Sequence, residues 1–260
     1  MLDSRNATTY LKDSYNSSII FNFINPIKMN KNSINMTCCL NSFSCANSIY
    51  IINEYNSFLN INLNGTISYN TFTYGNYDSN TFMTQLIVQL GNLYSISLNS
   101  ITNKFTLSHA LFNFTILSSS TMYEIMGFQN NISISSISKS LVMPYMCNFN
   151  GITSINILLD NYNMSNIGSY SKSDESIIQS INIDPSSSLI TYNKSNNTKF
   201  LINDTSVNYL QIDIMNDQDQ LINLNNQNWH LTLEYTEKIN FNRYHNVQTF
   251  DSILENGYKN

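Results

Sequence analysis

The sequence predicts a mostly β fold, made of two tandem β-sandwich modules of jelly-roll type with one short helix and extended terminal arms. Three observations carry that expectation. The hydrophobic fraction, 42%, is mainly Ile, Tyr, Phe and Leu, and its β-branched and aromatic members suit a pleated, half-buried surface. Apolar and polar residues alternate over strand-length segments that are separated by Asn, Asp and Ser turns, which is the layout of sandwiches and jelly rolls. Only one segment has a helical period with caps. A length of 260 residues leaves room for two modest domains.

Residues 1–17 are polar and without period, so they read as an N-terminal arm. Ser18 to Ile27 is a strand ended by Pro26, and Ser48 to Leu63 alternates as one or two strands closed by Asn64-Gly65. An Asn-Gly pair after alternating apolar residues is the strongest short hairpin signal, and Thr66 to Tyr74 returns as its partner. The helix follows over Ser79–Leu90: Asp78 offers an N-cap, Phe82, Leu86 and Leu90 repeat every four residues, and Gly91 stands at the end. Tyr94 to Leu98, Lys104 to Leu107 and Leu111 to Leu117 are short strands. Residues 18–128 thus form the first module, and the Ser, Asn and Ile-rich stretch 129–140 reads as a connector. The second module, 141–237, contains strands at Ile152–Leu159, Ser176–Ile183, Ser188–Tyr192, Val207–Met215 and Trp229–Tyr235. Residues 238–260 are a C-terminal tail.

Composition narrows function. About one residue in six is Asn, while charged residues are only 11%, against ~25% in ordinary domains. With 3 Pro and 7 Gly, turns fall to Asn, Asp and Ser, whose side chains bond their own backbone and tolerate left-handed conformations. A net charge of −5 and a pI near 5.0 give no basic footprint for nucleic acid. No run of about 18 apolar residues exists to span a membrane, and the polar start, Met1 to Asn6, lacks the apolar stretch of a secretory signal. The numerous Asn-x-Ser/Thr triplets therefore read as products of composition rather than glycan sites.

No constellation reads as a reaction centre. Cys38, Cys39, Cys45 and Cys147 lack the paired spacing of a zinc site and read as buried free thiols. Asp217-x-Asp219 lacks the further acids and the Gly of a calcium loop and reads as a hairpin tip. His109 and His230 pair with no nucleophile at recognisable spacing, and adjacent Asp174-Glu175 point apart rather than across a cleft. The expectation is no catalytic residue, no metal and no cofactor. Gly127, between Met126 and Phe128 after a Ser-rich turn, reads as a positive-φ position that sets Phe128 into the core. Trp229 opens an alternating strand and reads as core. The tail carries Phe241, Tyr244, Phe250, Ile253 and Leu254, too apolar for a solvated end, and these are interface candidates.

An ordered set of segments resembles a known family. Gly75-Asn76-Tyr77 precedes Phe82, Leu86 and Leu90 on the helix. Lys104-Phe105-x-Leu107, Phe112-x-Phe114, Ser118-Ser119-Ser120-Thr121 and Ile125-Met126-Gly127-Phe128 follow. Ile212-Asp213-Ile214, Asp217-x-Asp219, Ile222-Asn223-Leu224-Asn225 and Trp229-x-Leu231-x-Leu233 complete the set. Together they resemble minor capsid proteins of the nucleocytoplasmic large DNA viruses and Polinton-like viruses. The resemblance implies a non-enzymatic cement protein, made in the host cytoplasm and carried in the virion. Its partners would be the major capsid protein, other capsid subunits and copies of itself. A penton or spike-like vertex protein, and a glycan- or receptor-binding β-module, are the competing expectations.

Overall fold

The computed structural model describes residues 1–12, 15–159, 164–165, 177–194, 199–202 and 205–239. They form two compact units. The first combines residues 1–48 with the chain from Ser154 on, and the second is the intervening segment 49–153.

The first unit begins with β1 (Leu2–Asp3), a 3-10 turn at Ser4–Asn6, β2 (Thr9–Tyr10), β3 (Ser18–Lys28) and β4 (Ser33–Ala46). The second contains β5 (Phe58–Leu63), β6 (Thr66–Thr71), α1 (Ser79–Leu90), β7 (Tyr94–Asn99) and β8 (Lys104–His109). It continues with β9 (Phe114–Ile116), α2 (Tyr123–Met126), β10 (Ile134–Ser135) and β11 (Ser140–Val142). The chain returns to the first unit as β12 (Ser154–Leu159), β13 (Met164–Ser165), β14 (Ile177–Asn182) and β15 (Leu189–Asn193). There β16 (Phe200–Ile202), β17 (Ser206–Met215) and β18 (Trp229–Ile239) close it. Every strand pairing among the described residues is antiparallel.

In the first unit one sheet runs β14-β12-β17-β3-β2 and the other β1-β18-β4-β16-β13, with β15 also on β4. Successive strands from β3 to β18 switch sheets, except β15 and β16, which follow one another along β4. Trp229 marks the space between the sheets: its ring centroid is 6.1 Å from that of Phe21 on β3 and 6.2 Å from that of Phe43 on β4. Its Nε1–H donates to the Asn16 carbonyl at 2.8 Å, so the polar edge of a fully buried indole keeps a partner.

In the second unit β10-β9-β5-β6 form one sheet and β11-β8-β7 another. Asn64 (φ 50°) and Gly65 (φ 88°) make the β5–β6 turn, both central residues having the positive φ of a type I′ turn. Helix α1 begins at a capping box, in which the Asp78 carboxylate accepts from Thr81 N–H at 2.7 Å and Asp78 N–H donates to Thr81 Oγ1 at 2.9 Å. Its buried Phe82 and Leu86 join Leu59, Ile61, Phe105, Phe114 and Phe128 in one core.

The structure departs from the tandem layout. Residues 129–140 are not a connector: Ile134-Ser135 pairs with β9, and Leu141 and Met143, expected in the second module, lie in the same core as Phe128. The modules 18–128 and 141–237 are replaced by a split unit and an insertion. The cause is pairing between distant strands, β3 with β17 and β4 with β18, which local alternation does not encode. Residues 1–17 are not an extended arm. Leu2 pairs with Leu231, and the buried Ser4 hydroxyl accepts from Trp229 N–H at 3.0 Å. The Asn16 amide donates to the Gln227 carbonyl at 2.7 Å. Nor does the tail start at 238: Lys238 and Ile239 pair with Asn35 and Ser33. A second, one-turn helix, α2, stands beside the single helix expected.

Candidate interaction surfaces

The β5–β6–β9 register sorts side chains onto two faces. Leu59, Ile61, Phe114 and Ile116 are buried on one. On the other, Phe58 is paired with Thr71, Asn60 with Tyr69, and Asn62 with both Ile67 and Thr115. This outer face displays Tyr69 at 75% exposure, Ile67 at 44% and Phe58 at 38%. The Asn60 amide beneath Tyr69 is held by the Ser119 hydroxyl at 3.0 Å, and Asn60 N–H donates to the Ser120 hydroxyl at 2.9 Å. The strand that borders this face, β6, is an edge whose residues Thr-Ile-Ser-Tyr-Asn-Thr include no charge and no Pro. Natural edges are usually guarded by such residues. In the first unit, β3 beyond its short pairing with β2 carries Pro26 and Lys28, and β18 beyond its short pairing with β1 carries Glu234, Glu237 and Lys238.

The outer face of the sheet that contains β4 is of different character. Ser44 lies between Thr191 and His230, and Ser42 between Asn193 and Thr232. These hydroxyls and His230 line a hollow of about 290 Å³. His230 Nδ1 lies 3.4 Å from the Asp3 carboxylate. Hydrogen bonds from the Arg5 side chain and backbone hold the Asp3 carboxyl down to about 2. Further along, Lys194 bonds Glu234 at 2.8 Å, which depresses the Glu234 carboxyl.

The residues singled out in the sequence separate into structural and undescribed groups. Gly127 has φ 83° and ψ 44° at the end of α2, and Phe128 and Trp229 are buried. His109 is buried as well, with Nδ1 accepting from Leu111 and Phe112 N–H at 3.2 and 3.0 Å. Its ring meets that of Tyr94 edge-on, with centroids 4.7 Å apart, so its contacts fix a turn. Asp217 and Asp219 flank a tip tied by the Asn216 side chain, which accepts from Gln218 and Gln220 N–H, each at 2.9 Å. All four cysteines are free, and burial pushes the Cys38 and Cys45 thiols up to about 12. Phe241, Tyr244, Phe250, Ile253 and Leu254 lie outside the described residues, as do Asp174 and Glu175. Sequence reasoning missed the β6 face. Its signal was a charge-free strand after the Asn-Gly turn, but alternation does not say which strand is an edge.

Among the described residues no three His, Cys, Asp or Glu side chains group to hold a metal, and no helix is long and apolar enough to cross a membrane. The described features define an antiparallel β protein with a β unit inserted between two strands of another. No family model and no curated protein matches the sequence. Among solved structures, the chain is similar to the mavirus penton protein, at 13% identity over 85% of this chain and 94% of that one, with a TM-score of 0.47. It is also similar to a chain of the Sputnik virophage structure, at 13% identity over 85% of this chain and 90% of that one, with a TM-score of 0.36.

Proposed function

We propose that this chain is a structural, non-enzymatic virion protein of an icosahedral DNA virus: a minor capsid component that joins neighbouring capsomers. The observation that carries the reading is the outer face of β5 and β6. It places exposed Phe58, Ile67 and Tyr69 beside amide and hydroxyl groups at an uncharged edge. Assembly needs many contacts that form without desolvating charge, and amides and hydroxyls supply hydrogen bonds at lower desolvation cost than ions. The resemblance of the ordered motifs to those of minor capsid proteins points the same way. The partners under this reading are the major capsid protein and other capsid subunits.

One observation favours a second reading, that of a penton or spike-like vertex protein. The unit 49–153 enters the first unit's chain between β4 and β12, so one unit can serve the shell while the other carries a separate contact. A density map of the native particle distinguishes the two. Density for both units between capsomers supports the cement role, and density at five-fold positions supports the vertex role. Absence of the chain from purified particles overturns both.

A further inference from the structure

We infer that β6 is a self-association edge, through which a second copy of this chain adds antiparallel across a two-fold axis at Tyr69. In a two-residue hairpin the residues flanking the turn, here Leu63 and Thr66, form a hydrogen-bonded pair. Antiparallel alternation then turns the N–H and C=O groups of Ile67, Tyr69 and Thr71 to the side away from β5. Those same residues direct their side chains to the outer face, where Tyr69 and Ile67 are exposed. The backbone and the side chains of one alternate set are therefore both open to a partner.

The occupant follows from the order of residues along the strand. Ile67-Ser68-Tyr69-Asn70-Thr71 reads as β-branched, small polar, aromatic, small polar, β-branched in both directions. A two-fold at Tyr69 therefore sets Tyr69 against its own copy and Ile67 against Thr71 of the second chain. That gives about six main-chain hydrogen bonds, together with one aromatic cross-strand pair of favourable type and two Ile–Thr pairs. A two-fold interface has to be self-complementary, and for a chain of net charge −5 an edge without carboxylates avoids like-charge contact at the axis. Where β18 runs on beyond its two-residue pairing with β1 it carries Glu234 and Glu237, and where β3 runs on beyond its two-residue pairing with β2 it carries Pro26, which has no N–H to donate. The inference uses the same face as the virion reading but is tested on the isolated chain, so a monomeric chain overturns it while the particle map still decides the virion role.

Sedimentation of the purified full chain across a hundredfold range of concentration is the first test, with a concentration-dependent dimer expected. Tyr69→Lys should lower the association constant at least tenfold, by placing two ammonium groups at the axis. Thr71→Pro, which removes an N–H on the open side only, should do the same. Far-UV circular dichroism identical to the parent chain shows that both variants are folded. Tyr69→Cys, treated with a short bis-maleimide, should give a crosslinked dimer absent from the parent chain, because the two-fold brings position 69 beside itself. A parent chain that is monomeric throughout overturns the inference. So does a dimer that survives both variants, or a Tyr69→Cys chain that does not crosslink. Glycan-array binding by a monomeric parent chain, lost in Tyr69→Lys, would reassign the face to a carbohydrate.

Discussion

Amides do at single positions what glycine does in most proteins. Of the non-glycine residues with positive φ, Asn16, Asn64, Asn103, Asn131, Asn225 and Asn226 are asparagines, with φ between 49° and 59°. Their short side chains bond locally and lower the cost of the left-handed region, so a chain with few glycines still turns its corners. Gly127 is where an amide would not serve. A Cβ there would stand 2.3 Å from the Tyr145 carbonyl oxygen and 2.9 Å from that of Met146, so backbone rather than a yielding side chain fills the space. Gly65 has a similar φ of +88° with nothing within 4 Å. Gly65→Ala is therefore expected to cost about 1 kcal/mol, from backbone conformation alone. Gly127→Val adds steric overlap to that strain and is expected to cost about 3 kcal/mol or more. Thermal unfolding of the two variants checks the difference, and equal melting temperatures would mean that the Tyr145 segment moves aside freely.

At the scale of elements, β4 shows both what alternation reveals and what it hides. It is the longest described strand, 14 residues, and its Ser, Asn and Cys content gave no strand signal in the sequence. The structure makes it the centre of a sheet, paired with β18 along one side and with β15 and β16 along the other. Its alternation is broken: Met36, Cys38, Phe43 and Cys45 are buried while Thr37, Ser42 and Ser44 stand on the partly exposed outer face, but Cys38, Cys39 and Leu40 form a continuous buried run and the register shifts at Asn41. The hairpin at Asn64-Gly65 and helix α1 were legible because their signals are local: a turn pair in one case and caps around a four-residue repeat in the other. Burial also decides thiol chemistry, since the thiolate is the reactive form. At pH 8 iodoacetamide should label Cys147, which is only partly buried, well before Cys38, Cys39 or Cys45. Intact mass should then show one adduct on the native chain and four in denaturant. Several adducts at the native rate would show that β4 opens locally.

At the scale of the whole molecule, neighbours in sequence are not the neighbours that build the first unit. Residues 1–48 meet the chain beyond Ser154 across an insertion of about a hundred residues, and loop-closure entropy grows only logarithmically with that length. Such an insertion is thermodynamically tolerable, yet invisible to a reading that moves residue by residue, which is why a boundary was expected at 129–140. The same pairing carries the last described strand to Ile239. Because β18 continues to Ile239 opposite Ser33, removing residues 238–260 would cut the sheet, whereas removing 240–260 leaves every described ladder intact. That segment carries Phe241, Tyr244, Phe250, Ile253 and Leu254, and under the proposed role their partner is a neighbouring capsid subunit. A chain ending at Ile239 is expected to melt within about 1 °C of the full chain, less than the ~2 °C that 1 kcal/mol causes in a chain of this size. Particle incorporation, measured by mass spectrometry of purified virions, is expected to be lost. Unfolding of the truncated chain would assign the tail to its own core, and normal incorporation would remove it from the assembly interface.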